Sequence, residues 1–117
     1  MEINLGSMGS DVVVVGLVGD LVAGSAEELK RQVEKLLQKN FNKILIELAN
    51  VNFMDSSGLG ACMALHKMVG EHKGSIVFVK PNETVAKVFR ITRADQKLTL
   101  VKSNSEGHHQ LLTATQK

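Results

Sequence analysis

Two adjacent serines follow an aspartate at a point where the chain turns from an apolar segment into a helical one, in the stretch Asp55-Ser56-Ser57-Gly58. A serine at a helix start is usually the N-cap, because its oxygen accepts a backbone N–H that has no partner within the helix. One serine is enough for that, which leaves the other hydroxyl free for chemistry. A phosphoryl group would suit this position, because a helix N-terminus presents free N–H groups and the positive end of its dipole. From the residues alone, both a structural cap and a modification site remain open.

A phosphate on one of these serines would act mainly on a protein packed over the helix start, because it adds about −1.5 to −2 charges. Burying an unpaired phosphate in an interface costs several kcal/mol. A penalty of about 3 kcal/mol already weakens association by about a hundredfold. The motif therefore predicts a switch that acts by disrupting an interface.

No other group of residues predicts a catalytic or metal site. His66 and His72 are six positions apart, so they do not share a helix face as a metal-binding pair spaced by about four would. The segment 16–19 lacks the Lys-Ser/Thr of a phosphate-binding loop, and Cys62, within an apolar helix, is expected to be inert. We therefore expect no enzyme activity, no metal and no cofactor.

The elements that must position the motif alternate between strands and helices. Residues 11–19 are rich in valine and predict a strand that forms a hairpin with the segment around Ile3 and Leu5. Next come a predicted helix from Ser25 to about Asn40, opened by a capping box of Ser25 and Glu28, and a strand from Lys43 to Ala49. A helix then runs from the motif to about Lys73, ended by a left-handed Gly74, and is followed by a strand from Ser75 to Lys80. The last predicted elements are a helix opened by Pro81-Asn82, with Val85, Val88, Phe89 and Ile91 pointing inward; an edge strand from Lys97 to Val101; and a weak helix from Glu106 to about Thr115. This order predicts an α/β fold, with a mixed, mostly parallel sheet of four to five strands packed by about four helices.

Length and composition indicate one globular domain over residues 1–117, with a weakly structured tail after about residue 104. The chain is 44% hydrophobic, which is enough for one core, and its formal net charge is only +2. So small an excess of positive charge argues against direct nucleic-acid binding. One cysteine gives no disulfide, and no apolar run is long enough to cross a membrane. We expect a soluble cytoplasmic protein.

The octapeptide Phe53-Met54-Asp55-Ser56-Ser57-Gly58-Leu59-Gly60 resembles the signature of the STAS domain (sulfate transporter and anti-sigma-factor antagonist), in its bacterial anti-sigma-factor antagonist form. Three other segments also resemble this family: the turn Gly19-Asp20-Leu21, the strand Lys43–Ala49 and the region Ser75–Thr92. The resemblance covers the chain from about Ile3 to Val101.

The resemblance implies a reversible binding switch in transcription regulation. In such antagonists the serine after the aspartate is phosphorylated by an anti-sigma factor that is itself an ATP-dependent serine kinase, and a metal-dependent serine phosphatase reverses this. Carried over, the phosphoacceptor is Ser56, with Asp55 beside it and Ser57 as the helix cap. The unphosphorylated form binds the anti-sigma factor and releases the sigma factor. Antagonists of this type often have a second aspartate after the Gly-acidic-aliphatic turn, where this sequence has Val22.

Other residues are expected to form the motif and bind the partner. They are Asp20, Met54, Asp55, Ser57, Gly58, Leu59, Gly60 and Met63. Met54 and Met63 are placed at the contact surface because methionine adapts to irregular partners. Two alternatives stay open: a STAS scaffold subunit of a transporter or stress-signalling assembly whose serine is never modified, and a nucleotide-binding module with a phosphate at the Ser57 helix start.

Overall fold

The structure, a computed structural model, describes residues 1–114. Its elements are β1 (Glu2–Met8), β2 (Val12–Leu21), α1 (Ala23–Gln38), β3 (Lys43–Met54), α2 (Ser56–Glu71), β4 (Ser75–Val79), α3 (Glu83–Ile91), a 3₁₀ turn (Ala94–Gln96), β5 (Leu100–Val101) and α4 (Asn104–Ala114). This alternation of strands and helices is the one that the sequence predicts.

The five strands form one sheet in the order β1-β2-β3-β4-β5. β1 and β2 form the predicted antiparallel hairpin, and every later neighbour is parallel. Parallel neighbours need a crossover, and right-handed crossovers between successive strands place α1, α2 and α3 on the same face. The predicted fold class, a mixed, mostly parallel α/β sheet with four helices, is confirmed.

Residues 44–46 of β3 and 76–79 of β4 are buried on both faces of the sheet, which explains their continuous apolar sequences, whereas the edge strand β1 is largely exposed. The larger core lies between the sheet and α1–α3 and includes Val15, Ile44, Ile46 and Phe78. A smaller cluster on the opposite face joins the strands to Leu111 of α4. The side of the sheet on which α2 packs therefore has the larger hydrophobic core of the two.

Strand β3 is longer than predicted, because it continues past Ala49 to Met54. Val51 and Met54 are buried, whereas Asn52 and Phe53 are exposed. The strand thus delivers the chain directly into α2, with Asp55 as the only residue between the two elements.

The predicted capping of α1 is wrong in its assignment of Ser25. The helix begins two residues earlier, at Ala23, and Val22 is its N-cap residue. Ser25 lies inside the first turn, where its hydroxyl oxygen accepts the Val22 N–H at 2.9 Å. Glu28 contributes nothing to this cap and instead pairs with Arg31 at 2.7 Å.

The turn after α2 also differs from the prediction. Lys73, and not Gly74, has the left-handed conformation, with φ 58°. Gly74 is required for another reason, since a Cβ there would lie 2.1 Å from the Asn42 carbonyl oxygen. The glycine allows a close approach between two backbone segments rather than a positive φ.

For α3, the predicted N-cap is confirmed, but the predicted inward orientation of one side chain is wrong. Asn82 caps α3 by accepting the Val85 N–H at 2.8 Å, as the Pro81-Asn82 signal predicts. Ile91, predicted to point inward, is 70% exposed because it is the last residue of the helix.

The region after about residue 104, expected to be weakly structured, forms α4 over Asn104–Ala114. Leu111 is buried in the smaller cluster, and the Asn104 amide donates a hydrogen bond to Glu47 of β3. Thr115, the predicted end of this helix, lies outside the described residues.

Candidate functional site

The start of α2 lies where the carboxyl ends of β2 and β3 meet. In the register of these two strands Asp20 pairs with Phe53, and Leu21 pairs with Met54. The Asp55 N–H donates to the Leu21 carbonyl at 3.3 Å. The turn 19–21 and the serine motif, which the resemblance linked, therefore lie together at one end of the sheet.

The turn that carries Asp20 is fixed by two features of its backbone. Gly19 has φ 121°, a conformation that side chains rarely adopt. The Ser25 hydroxyl donates to the Asp20 carbonyl at 2.7 Å, which ties the turn to the first turn of α1. The Asp20 side chain is exposed, so a carboxylate faces solvent at the strand end next to the serine motif.

Asp55 is the N-cap of α2. Its carboxylate accepts the Gly58 N–H at 3.0 Å, and its backbone carbonyl accepts the Leu59 N–H at 3.0 Å. The expectation that Ser57 is the cap is therefore wrong. An aspartate does this well, because its negative charge also interacts favourably with the positive end of the helix dipole.

Both serines of the motif are consequently left free. Ser56 and Ser57 are exposed, and within residues 1–114 neither hydroxyl makes a hydrogen bond. Ser56 is the first residue of α2, so its hydroxyl lies at the rim where the strand ends and the helix begins. This is the accessibility that a phosphorylation switch needs.

Gly58 and Gly60 play different roles, although both belong to the motif. A Cβ on Gly58 would lie 2.2 Å from the Leu21 carbonyl oxygen and 2.9 Å from Met54 Cγ. Gly58 therefore lets α2 pack directly on the end of β2. A Cβ on Gly60 would meet nothing within 4 Å, so no packing requirement explains this glycine.

Met54 lies in the core and not on the surface where the sequence analysis placed it. It is only 2% exposed and packs among the large cluster beneath α2. As the last residue of β3, it points inward while its neighbour Phe53 is 49% exposed. Phe53 is thus the apolar residue beside the serines that a partner could contact. Regular alternation from buried Val51 would bury Phe53, but the register of β2 and β3 shifts at Asn52, so Met54 is buried instead.

Leu59 and Met63 are half-buried and line one side of a groove. They lie three and seven residues after Ser56, so the three side chains share one face of α2. The opposite wall of the groove is the segment after α3, with Thr92, Arg93 and Lys97. Sequence reasoning missed the basic residues of this groove, because only the fold brings them to α2.

The chemistry of the remaining candidates is limited. Burial raises the pKa of the Cys62 thiol to about 12, which makes it a poor nucleophile. Among the described residues, no three His, Cys, Asp or Glu side chains come together as a metal site would require. No helix in the same part of the chain is long and apolar enough to span a membrane.

Comparison with known proteins assigns the chain to a family. Residues 9–107 match the STAS domain, and the chain belongs to the STAS domain family. The assignment agrees with the expectation of a binding domain rather than an enzyme.

Several similar proteins are named as anti-sigma factor antagonists. A Thermotoga neapolitana protein described as a candidate anti-sigma factor antagonist is 34% identical over 98 residues, which cover 83% of this chain and 87% of that protein. The anti-sigma F factor antagonist of Paenibacillus polymyxa is 29% identical over 63% of this chain and 64% of its own length. The crystal structure of a candidate anti-sigma factor antagonist from Thermotoga maritima has a TM-score of 0.85 at 27% identity, and 93% of each chain is covered.

Proposed function

We propose that this chain is an anti-sigma-factor antagonist that works as a binding switch. With Ser56 free, it binds an anti-sigma factor that has serine kinase activity, and the sigma factor is released. Phosphorylation of Ser56 by that partner ends the binding, and a serine phosphatase restores it. The kinase and phosphatase chemistry belongs to the partners, since this chain serves as substrate and ligand.

The observation that carries this proposal is that one residue caps α2 while a different residue presents a free hydroxyl at the same helix start. Because Asp55 supplies the cap, the Ser56 hydroxyl is exposed and makes no hydrogen bond in the described residues. A kinase could reach it without unfolding the helix. The names of the relatives support the class of partner.

The surroundings of Ser56 also support a switch that acts on an interface. Exposed Phe53 and half-buried Leu59 and Met63 provide apolar contact area close to the hydroxyl. A phosphate there would place about two negative charges within any interface that covers these residues. The exposed carboxylate of Asp20 at the same end of the sheet would not neutralise it.

The test uses purified anti-sigma factors from the same organism, chosen because each is an ATP-dependent serine kinase. We expect at least one to bind the unmodified chain in calorimetry and, with ATP, to add one phosphate. Mass spectrometry should place the phosphate on Ser56.

Matched variants separate the two serines. Ser56→Ala should abolish the modification, and Ser57→Ala should preserve it. A phosphate on Ser57, or one that survives in Ser56→Ala, would refute the assignment. If no such kinase binds the unmodified chain, the antagonist function is wrong and the scaffold alternative gains support.

A further inference from the structure

The groove between α2 and the segment after α3 combines an apolar floor with unpaired positive charge. It has a volume of about 550 Å³ and is lined by Leu59 and Met63 on one side and by Thr92, Arg93, Ala94, Gln96 and Lys97 on the other. The Thr92 hydroxyl donates to the Val88 carbonyl at 2.7 Å, which fixes the end of α3 and hence this wall.

Arg93 and Lys97 give the groove its charge. Both side chains are exposed, and within residues 1–114 neither takes part in an ion pair. Asp95 lies between them in sequence, but it lines a different cleft, together with Lys80 and Arg90. The charge that this groove presents is therefore positive.

The groove begins beside the switch residue. Ser56 precedes Leu59 by three residues on the same face of α2, a rise of about 4–5 Å along the helix. A segment that lies on Leu59 and Met63 would thus end close to the Ser56 hydroxyl. A phosphate there would face whatever occupies the groove.

We infer that this groove receives a segment of the anti-sigma factor in which carboxylates flank an apolar side chain; this inference rests on the proposed function. The apolar side chain covers Leu59 and Met63, and the carboxylates lie against Arg93 and Lys97. Such an occupant would also explain the direction of the switch. Carboxylates that the two basic residues attract are repelled by a phosphate on Ser56, so modification expels the segment.

Charge reversal tests the inference in the full chain, against the anti-sigma factor that binds the unmodified protein. We expect the double variant Arg93→Glu/Lys97→Glu to lower the affinity by about tenfold at about 0.15 M salt, or about 1.4 kcal/mol. The matched control is Lys35→Glu/Lys39→Glu, which changes the charge equally at exposed positions in the last turn and at the C-cap of α1, outside the groove. The affinity of the control variant for the anti-sigma factor should stay within about twofold of the wild-type affinity.

Salt dependence gives a second readout. Wild-type affinity should fall as salt screens the attraction, whereas affinity of the Glu variant should rise or stay constant. The milder pair Arg93→Gln/Lys97→Gln should lose affinity by about threefold, and it decides the question if circular dichroism shows that the Glu variant does not fold.

The outcomes separate the two proposals. If the wild type binds and both groove variants bind as the control does, the groove inference is wrong while the antagonist function stands. If the Glu variant binds more tightly than the wild type, the occupant is basic and the inference is also wrong. Failure of the wild type to bind any of the kinases rejects the proposed function and this inference with it.

Discussion

The Asp55 carboxylate accepts the backbone N–H of Gly58 at 3.0 Å, and this contact caps α2. Asp55 therefore has the structural role of capping the helix, and the hydroxyls of Ser56 and Ser57 are not needed for it. Gly58 has a second function in the same contact, because its missing side chain lets the helix end lie against Leu21. The geometry at Ser56 thus depends on two residues that would never be modified themselves.

Loss of the Asp55 cap should destabilise the protein without removing the phosphoacceptor. We expect Asp55→Ala to lower the free energy of unfolding by about 0.5–2 kcal/mol, the usual cost of an N-cap. The measurement is urea denaturation followed by circular dichroism. Ser57→Ala is the control and should change stability by less than about 0.5 kcal/mol, since its hydroxyl makes no hydrogen bond in the described residues. Equal losses in both variants would mean that Ser57 shares the cap.

A negative charge at Ser56 should affect binding far more than folding. We expect Ser56→Asp to weaken binding to the anti-sigma factor by tenfold or more, because an uncompensated charge in an interface is costly. Its melting temperature should change by no more than a few degrees, since the side chain is exposed at a helix N-terminus. Ser56→Asn has nearly the same size without the charge. If the Asn variant loses as much affinity as the Asp variant, shape and not charge controls the contact.

Gly58 and Gly60 of α2 should respond in opposite directions to the same substitution. Gly58→Ala would place a Cβ 2.2 Å from the Leu21 carbonyl oxygen, and relief of such an overlap costs about 1–3 kcal/mol or more. Gly60→Ala meets nothing within 4 Å, so it should stabilise the helix by about 0.4–1 kcal/mol. Thermal unfolding of the two variants measures both effects. A Gly58→Ala protein as stable as the wild type would show that α2 packs less closely on β2.

The Met63 side chain should matter for association because it lies on the groove face of α2. We expect Met63→Glu to weaken binding to the anti-sigma factor, since the carboxylate would face both the apolar occupant and its acidic groups. Gln38→Glu on α1 carries the same change of charge at an exposed site and should bind as the wild type does. Unfolding curves for both variants show whether the half-buried Met63 site tolerates the change. Unaltered binding by a folded Met63→Glu protein would place this face outside the interface.

The sequence predicted the fold well because its signals are local. Valine-rich strands, the periodic apolar face of α1 and the Asn82 cap each depend on residues that are neighbours in sequence. One error, the cap of α2, occurred where two local signals compete. Asp55 and Ser57 are both good N-caps, and only the position of the first helical turn decides between them.

The site was predicted less completely than the fold, because part of it is assembled from distant segments. Exposure of Ser56 could be expected from a polar residue at a helix start. The burial of Met54 depends on how far β3 continues, and the strand proved five residues longer than predicted at this end. Arg93 and Lys97 come to α2 only through the packing of α3, which no spacing in the sequence reveals.

The buried Cys62 thiol should make stability depend on pH in the alkaline range. Burial raises its pKa to about 12 from an ordinary value near 9.0. Between these two values the folded protein keeps a proton that the unfolded chain releases, so alkali favours unfolding. The stabilising contribution is complete below about pH 9 and decreases as pH rises, by at most about 1.4 kcal/mol per pH unit.

Denaturation curves between about pH 8 and pH 10.5 for the wild type and Cys62→Ala test this effect. The variant lowers stability at every pH through its small cavity, but it should lack the extra alkaline decline, so the difference between the two proteins should shrink as pH rises. A thiol reagent offers a second check, because the buried thiol of the native protein should react far more slowly than the same thiol in urea. Parallel stability profiles together with rapid native labelling would mean that Cys62 is accessible to solvent, contrary to its position on the buried face of α2 in the main core.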